Sequence, residues 1–464
     1  MNSRRILFVY TNISIAKANY YSHGLGSIVA VLKRHEYSVE IFNLFDFGEE
    51  EKSELSQFIS HFKPQIIGFT CVASQYRFIR KIVAYIKKSF PHIVIVIGGV
   101  HPTLLPNMLL EVRSVDYLFR GEAEHTFLDF CTRFYEGGDV TKVKSLVYVN
   151  TGGELTLNEM LPLDRDLDSL PEPDRESFNY EDVLKATGGK ATFLFNRGCP
   201  FNCSFCSNHA LAKVHGLERM ISRTRSVDLA IKEIIHVTQK YDVKLVRVID
   251  EIIGVNKAWL MDFCKEYKKR INIPFTCFQR ANLVDEAKIA ALKEAGCIRV
   301  NLGVESGNDF IRNYLMNREI SKEQIIEAFR ICDKFGMRTT AANMIGLPFE
   351  TVDMIFDTIA LNRIILPTYN VVGIFYPYPG TKLAFLCKEL GLIDEKRALS
   401  EDFVERKQGS ILKLPLTDEQ LNWFRQNWGR LIYRDFGTVL RHPKRLFFDK
   451  LSGKIRRKLG ISDV

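Results

Sequence analysis

Two successive alternations of short apolar strands with amphipathic helices predict an α/β protein: an N-terminal doubly wound sheet, a partial barrel of six βα units, and a mostly helical C-terminal region. Three observations carry this. The strand-like runs of residues 1–140 are apolar on both faces, as strands of a parallel sheet covered by helices on each side must be. A second alternation starts at Lys190 and runs for about 200 residues, short of the ~250 that a full eight-stranded barrel takes. From residue 391 the apolar residues recur at helical spacing.

In residues 1–140, "RRILFVY", "SVEIFNL", "PQIIGFTCV", "HIVIVIGGV" and "VDYLFRG" read as strands, and "LGSIVAVLKRHEY", "EKSELSQFISHFK", "YRFIRKIVAYIKKSF" and "EAEHTFLDFCTRFYEGG" read as helices. This is a flavodoxin- or Rossmann-like order. Ligands of such sheets sit beyond the carboxyl ends of the strands. Thr70-Cys71-Val72 and Gly98-Gly99 fall at two such ends. Residues 141–185 read as a linker with a small hairpin, "SLVYVNTGGELTLN", and a proline-marked stretch, "LDSLPEPDRESF", lying on the surface of its neighbours. The barrel is expected over residues 186–390, with strands at 190–196, 243–249, 274–280, 297–304, 337–345 and 370–377. Residues 391–464 form the helical end, in which "TDEQLNWFRQNWGRLIYRDFGTVL" carries periodic aromatics.

The composition, 46% hydrophobic and 26% charged over 464 residues, is that of an ordinary globular protein. No apolar run approaches the roughly 20 residues of a membrane span, and the opening "MNSRRILFVY" is too short in its apolar part for a signal peptide. A cytoplasmic location is expected. The net charge of +9 is uneven, because residues 430–464 hold ten Lys or Arg against three Asp. There Phe447, Leu451, Ile455 and Leu459 form an apolar stripe among basic residues. Such a segment can lie on an anionic membrane surface or dock on the barrel with its charges solvated. The positive charge is local and no RNA-binding module is visible, so nucleic acid is not expected as a partner.

Seven of the ten cysteines, Cys71, Cys131, Cys264, Cys277, Cys297, Cys332 and Cys387, stand singly in apolar or helical surroundings and read as buried free thiols. The other three are Cys199, Cys203 and Cys206 in "NRGCPFNCSFCSN", just after the first barrel strand. Zinc sites of four cysteines come as two C-x-x-C knuckles, whereas this triple stands alone. Three thiolates can hold three irons of a 4Fe–4S cluster and leave the fourth iron open. Phe205 stands where it can shield such a cluster. The later strand ends carry polar groups suited to a ligand: Asp250 and Glu251, Arg280, Glu305 and Ser306, then Gly346 and Glu350. An acid can accept from an ammonium or a ribose hydroxyl, an arginine can fork onto a carboxylate, and a glycine lets backbone approach a base.

The spacing C-x3-C-x-aromatic-C after the first strand of a partial barrel resembles the radical S-adenosylmethionine superfamily. With "IGFTCVASQY", "IVIVIGGVHPT", "VDYLFRGEAEHTF", "GVESGN", "GLPFET" and "YPYPGT", the likeness to its cobalamin-binding subgroup covers roughly residues 5–390. The resemblance implies a 4Fe–4S cluster on Cys199, Cys203 and Cys206. It implies S-adenosylmethionine bound by Asp250, Glu251, Arg280, Glu305, Ser306, Gly346 and Glu350. It implies cobalamin against Thr70, Val72, Gly98 and Gly99. Thr70 and Val72 replace the family's usual Ser-x-Leu, and Gly98 and Gly99 match its paired glycines. The Asp-x-His-x-x-Gly motif of cobalamin domains is missing from "TNISIAKANYYSHGLGS", since the flanks of His23 do not match. No lower histidine ligand to cobalt is therefore expected. A weak lower ligand favours methyl transfer, because less is lost on passing to four-coordinate cob(I)alamin. His101, after the glycine pair, reads as a hydrogen-bonding residue.

What the resemblance implies is a cobalamin-dependent methyltransferase acting on an unactivated carbon (or phosphorus) centre of a small molecule or lipid, by way of a 5′-deoxyadenosyl radical and methylcobalamin. A reducing electron donor such as flavodoxin or ferredoxin is its expected partner. Radical oxidation, cyclisation or rearrangement without methyl transfer is the alternative on the same scaffold. A non-catalytic cobalamin or iron–sulfur sensor is the alternative of another class, and would not cleave S-adenosylmethionine under strong reductant. A methylthiotransferase is disfavoured, since residues 1–140 hold only Cys71 and Cys131 and so no second cysteine triple.

Overall fold

The computed structural model describes residues 4–13, 21–398 and 409–433. They fall into two units. One holds the chain up to Arg247 with Pro377–Leu386; the other holds Val248–Tyr376, Cys387–Ala398 and residues 409–433.

The first unit is built on a seven-stranded sheet. Its strands are β1 (Arg5–Thr11), β2 (Ser38–Leu44), β3 (Ile66–Thr70), β4 (Val94–Gly98), β5 (Tyr117–Phe119), β6 (Leu146–Val149) and β7 (Leu155–Leu157), in the order β2-β1-β3-β4-β5-β6-β7. β2, β1, β3, β4 and β5 run parallel. The order reverses at β1 and β3, the switch point of a doubly wound sheet. Alternate residues feed two separate cores. Leu7, Val9, Ile67, Phe69, Ile95 and Ile97 pack with Leu55, Ile59, Ile79 and Val83 of the helices Glu49–Phe62 and Ala73–Ser89. Ile6, Phe8, Ile66, Val96 and Phe119 pack with Leu25, Val29, Phe127 and Phe130 of the helices His23–Arg34 and Glu124–Glu136. Burial on both faces is what made these strands read as continuous apolar runs.

The sequence places the hairpin of residues 146–157 in a surface linker. The structure adds it to the first sheet instead, with β6 antiparallel to both β5 and β7. The edge of β5 was open, and Leu146 and Val147 lose all exposure by closing it. The proline-marked stretch is not merely superficial either, because Leu167, Leu170, Arg175, Phe178 and Tyr180 are buried.

All six expected barrel strands are present. They are β8 (Lys190–Phe193), β11 (Leu245–Val248), β12 (Phe275–Gln279), β13 (Cys297–Glu305), β14 (Arg338–Ile345) and β15 (Tyr369–Ile374). They form a half-barrel sheet ordered β15-β14-β13-β12-β11-β8. The expected run 190–196 divides: β8 stops at Phe193, and β9 (Asn196–Arg197) pairs antiparallel with β10 (Arg223–Thr224) in a short ribbon.

In the second unit the helix Asp418–Ile432 starts at a capping box of Thr417 and Gln420. Its Leu421, Phe424, Trp428 and Ile432 pack on Ile345, Ile374, Ile355 and Ile359. Beneath it three asparagines close a ring: Asn343 Nδ2 donates to Asn370 Oδ1, Asn370 Nδ2 to Asn362 Oδ1, and Asn362 Nδ2 to Asn343 Oδ1, each at 2.8 Å. Trp428 Nε1 also donates to Asn370 Oδ1, at 2.8 Å. No helix among the described residues is long and apolar enough to cross a membrane. The basic stripe of residues 447–459 lies outside the described residues.

Candidate active site

The three clustered cysteines leave the β9–β10 ribbon on one loop. Gly198 starts it at φ +90°, where its α-carbon approaches the Ile221 carbonyl so closely that no Cβ fits. Asn196 Nδ2 donates to Gly198 O at 2.8 Å. Cys206 N donates to Cys203 O at 3.1 Å, and the helix Ser207–Val214 begins directly after Cys206. Leu383 N donates to Ser204 O at 2.9 Å, so the "PGTKL" segment braces the loop. Cys203 is buried, and Cys199 and Cys206 are partly exposed. Among the described residues no three His, Cys, Asp or Glu side chains converge to hold one metal ion. Three thiols on one loop are of the number and kind that an iron–sulfur cluster with one open iron takes.

The ends of β3 and β4 form the second feature of this unit. Thr70 and Gly98 are register partners. Cys71 N donates to Gly98 O at 2.8 Å, and His101 N donates to Cys71 O at 3.1 Å. Gly99 turns the chain at φ +105°, and a Cβ there would lie 2.7 Å from Cys71 O and 2.8 Å from Cys71 N. At Gly98 a Cβ would meet nothing nearer than 3.8 Å. Val72 and Val100 project from these turns with 45% and 37% exposure. Two exposed valines beside a bare glycine backbone at a switch point suit a broad, largely apolar ligand with polar edges, such as a corrin.

The two histidines near this end are both packing residues. His101 lies against the Tyr76 ring, centroids 4.6 Å apart, and burial pulls its pKa down to about 4 against the opposing charge of Glu111. His23 opens the helix His23–Arg34, with Nε2 3.0 Å from Thr192 Oγ1. Burial, aided by the charges of Arg175 and Arg197, holds it neutral.

In the second unit the expected residues fall into four sets. Asp250 and Glu251 follow β11, Asp250 buried and Glu251 exposed. Arg280 follows β12, with Nε donating to Asn282 Oδ1 at 3.0 Å and Nη2 to Arg318 O. Glu305 ends β13 in the left-handed region, φ +63°, beside a register shift. Its Oε1 accepts from Arg318 Nη1 at 3.1 Å, while Arg318 Nη2 donates to Gly303 O at 2.7 Å. Arg318 thus joins Arg280 and Glu305. The sequence reading missed it, because within "LMNREIS" it looks like an ordinary surface charge.

Ser306 is fully buried. Its Oγ lies 3.3 Å from Thr358 Oγ1 and accepts from Asn308 N at 3.2 Å. Arg312, also overlooked, is buried and donates to Ser306 O at 2.9 Å and Ile320 O at 2.8 Å. Gly346, at φ +76°, turns its bare side to Ile374 and Leu421 at 3.3 Å. Its N–H and that of Leu347 donate to Glu350 Oε2 at 2.6 and 3.2 Å. Among the described residues Glu350 Oε1 has no hydrogen-bond partner. In this state Ser306 and Glu350 hold loop backbone from beneath.

Burial pushes the Glu350 carboxyl up to about 8, against the two backbone N–H groups that favour its charged form. The fold therefore keeps a proton that the unfolded chain releases above its ordinary 4.5. Stability should fall as pH rises through this window, by up to about 1.4 kcal/mol per pH unit, and level off above it. Glu350→Gln should flatten that slope. Urea unfolding of both proteins at pH 5, 6.5 and 8.5 checks this; parallel pH profiles would refute it.

Comparison with known proteins meets this geometry. Residues 193–361 match the radical SAM superfamily model, and residues 12–130 match that of the B12 binding domain. An uncharacterized methyltransferase of Pyrococcus horikoshii is 28% identical over 359 residues, 76% of each chain. The anaerobic magnesium-protoporphyrin IX monomethyl ester cyclase of Rubrivivax gelatinosus is 26% identical over 404 residues, 83% of this chain and 70% of its own. The methyltransferase TsrM of Kitasatospora setae, solved with cobalamin and a [4Fe–4S] cluster bound, shares the fold at TM-score 0.68 and 18% identity, covering 84% of this chain and 78% of that one. The chain belongs to the radical S-adenosylmethionine enzymes that carry a cobalamin-binding domain. It is a cluster-, S-adenosylmethionine- and cobalamin-dependent enzyme, and its relatives support methyl transfer as its reaction.

Proposed function

We propose that the protein methylates an unactivated carbon, or phosphorus, centre of a small organic molecule or lipid. In this reading Cys199, Cys203 and Cys206 hold the cluster. Asp250, Glu251, Arg280 and Glu305 contact S-adenosylmethionine, with Ser306, Gly346 and Glu350 shaping the loops beneath. Thr70, Val72, Gly98 and Gly99 receive cobalamin. The observation that carries the proposal is the presence, in one unit, of a single cysteine triple and of a switch-point turn that offers bare backbone and exposed valines.

Bound together, these groups supply a carbon-centred radical and a transferable methyl group. The chain's own residues position them. Arg318 fixes the Glu305 carboxylate, and so aims an acceptor from a backbone conformation costing of order 1–3 kcal/mol that the loop must hold in place. Arg280, held by Arg318 O and Asn282, places a fixed positive charge that a carboxylate would pair with. Neutral His101 and His23 leave no cationic imidazole at the cobalamin end. A reduced flavodoxin or ferredoxin is the electron donor this chemistry calls for.

Product mass tests the reaction. Anaerobic incubation with S-adenosylmethionine, reductant, hydroxocobalamin and candidate substrates should give a gain of one methylene. Loss of hydrogens without that gain would favour oxidative cyclisation, the second reading, which the Rubrivivax relative motivates. Gly99→Ala tests the cobalamin end: the Cβ collides with Cys71 backbone, so hydroxocobalamin affinity should drop tenfold or more. Gly137→Ala is the control, at φ +73° with open space around it. Equal affinity in the two variants would remove Gly99 from the site.

A further inference from the structure

Between the Gly98-Gly99 turn and the cysteine loop runs a chain of buried and half-buried polar contacts. Arg197 stands two residues before Cys199. Its guanidinium reaches Glu124 Oε1 at 2.6 Å, Glu122 Oε2 at 3.2 Å and Ser27 Oγ at 3.2 Å. Across the ribbon Arg197 is the register partner of Arg223. Arg223 forks onto both oxygens of Glu122 and donates to Asp164 O at 2.7 Å. Two arginines directly opposite on paired strands repel. Glu122 lies between them and grips both strands.

The other end of the chain starts at Gly121, whose N–H donates to Thr103 Oγ1 at 2.9 Å. Thr103 Oγ1 donates in turn to Gly99 O at 2.7 Å. Burial pushes the Glu124 carboxyl up, but the charge and hydrogen bond of Arg197, with Ser27 and its own N–H, bring it below the usual carboxylate range. Thr103 is 1% exposed and Glu124 is 5% exposed. A second route runs in parallel, since the helix Ser207–Val214 packs on Val100–Leu104.

We propose that Arg197 is a positioning residue that couples the two cofactor loops: hydroxocobalamin at the Gly98-Gly99 turn and the cluster on the cysteine loop each alter the affinity for the other. The clamp of Glu122 and Glu124 and the Thr103 hydroxyl carry the coupling. The proposal rests on the cofactor assignments made above.

Coupling is the quantity to measure. Hydroxocobalamin dissociation constants are determined for cluster-loaded full-length protein and for the Cys199→Ala, Cys203→Ala, Cys206→Ala variant, with iron and cobalt counted in each. The two dissociation constants should differ by about fivefold or more. Glu124→Gln and Thr103→Val, each made with and without the three cysteines, should bring the ratio close to one while cluster-loaded iron content stays at the wild-type level. Arg197→Lys, which keeps the charge and loses the fork, should behave likewise. A purely structural role would lower stability and leave the ratio unchanged. A wild-type ratio of one, or a wild-type ratio retained in Glu124→Gln and Thr103→Val, overturns the proposal. Iron retained by the triple cysteine variant, or no cobalt bound by wild type, overturns the underlying assignments instead.

Discussion

Cys203→Ala should strip the iron from the protein and take the reaction to background. A 4Fe–4S cluster on three cysteines has one protein bond to each of three irons. Removing any one leaves two irons without a protein ligand. Cys203 is the most informative choice, being the buried member of the three. The Cys206 N to Cys203 O bond is between backbone atoms, so the alanine variant keeps that turn. Iron analysis after anaerobic reconstitution should fall from about four per chain to below one. Cleavage of S-adenosylmethionine under dithionite should vanish with it. Retention of four irons would disprove the ligand assignment.

The largest loss of stability should come from Glu233→Ala. Glu233 is the counter-ion of two buried arginines, 2.7 Å from Arg175 Nη2 and 3.7 Å from Arg225 Nη1. Arg175 lies over the rings of Tyr21, Tyr180 and Phe193, with 4.9–5.6 Å to their centroids. Burial disfavours its charge, and the charge and hydrogen bond of Glu233 restore it, so Arg175 stays protonated inside an aromatic cage. Without Glu233 the buried Arg175 keeps the longer contact to the part-exposed Glu172, at 3.6 Å, and Arg225 loses its ion pair with Glu233. Breaking one side of such a pair costs about 3–5 kcal/mol, whereas replacing both sides by apolar groups of similar size costs far less. Glu233→Ala should therefore shift the urea transition, followed by circular dichroism, well below wild type, and Arg175→Met with Glu233→Leu should recover the part of the loss due to Arg175 while leaving that due to Arg225. Equal losses in the single and double variants would show that cavity volume, not charge, sets the cost.

Most of the fold was legible because it follows from period and burial. Strands buried on two faces stand out as apolar runs, and all six barrel strands lie within two or three residues of their expected bounds. The hairpin of residues 146–157 was misplaced because nothing local tells an edge strand from a linker hairpin; the open side of β5, far back in the chain, decides it. The cysteine triple was readable from spacing alone. Arg318 and Arg312 were not, since a buried arginine and a solvated one look alike until the loop they support has closed. Glu350 was recognised as important, but its contacts with the backbone of Gly346 and Leu347 belong to a turn that only the structure displays.

The asparagine ring has a sense of circulation. Three amides in a closed cycle can pass their hydrogens clockwise or anticlockwise, and reversing all three costs the ring nothing by itself. The indole of Trp428 is a donor only, so Asn370 must offer it oxygen, and one of the two senses is selected. A residue of the C-terminal helix thereby acts with the carbonyls of Thr358 and Val371, which accept from Asn362 and Asn343, to set which way three side chains on two strands and another helix point. In a Trp428→Phe protein the Thr358 carbonyl, which accepts from Asn362 Nδ2 at 2.8 Å, would still hold the same sense, and a single set of amide resonances should remain, shifted at Asn370.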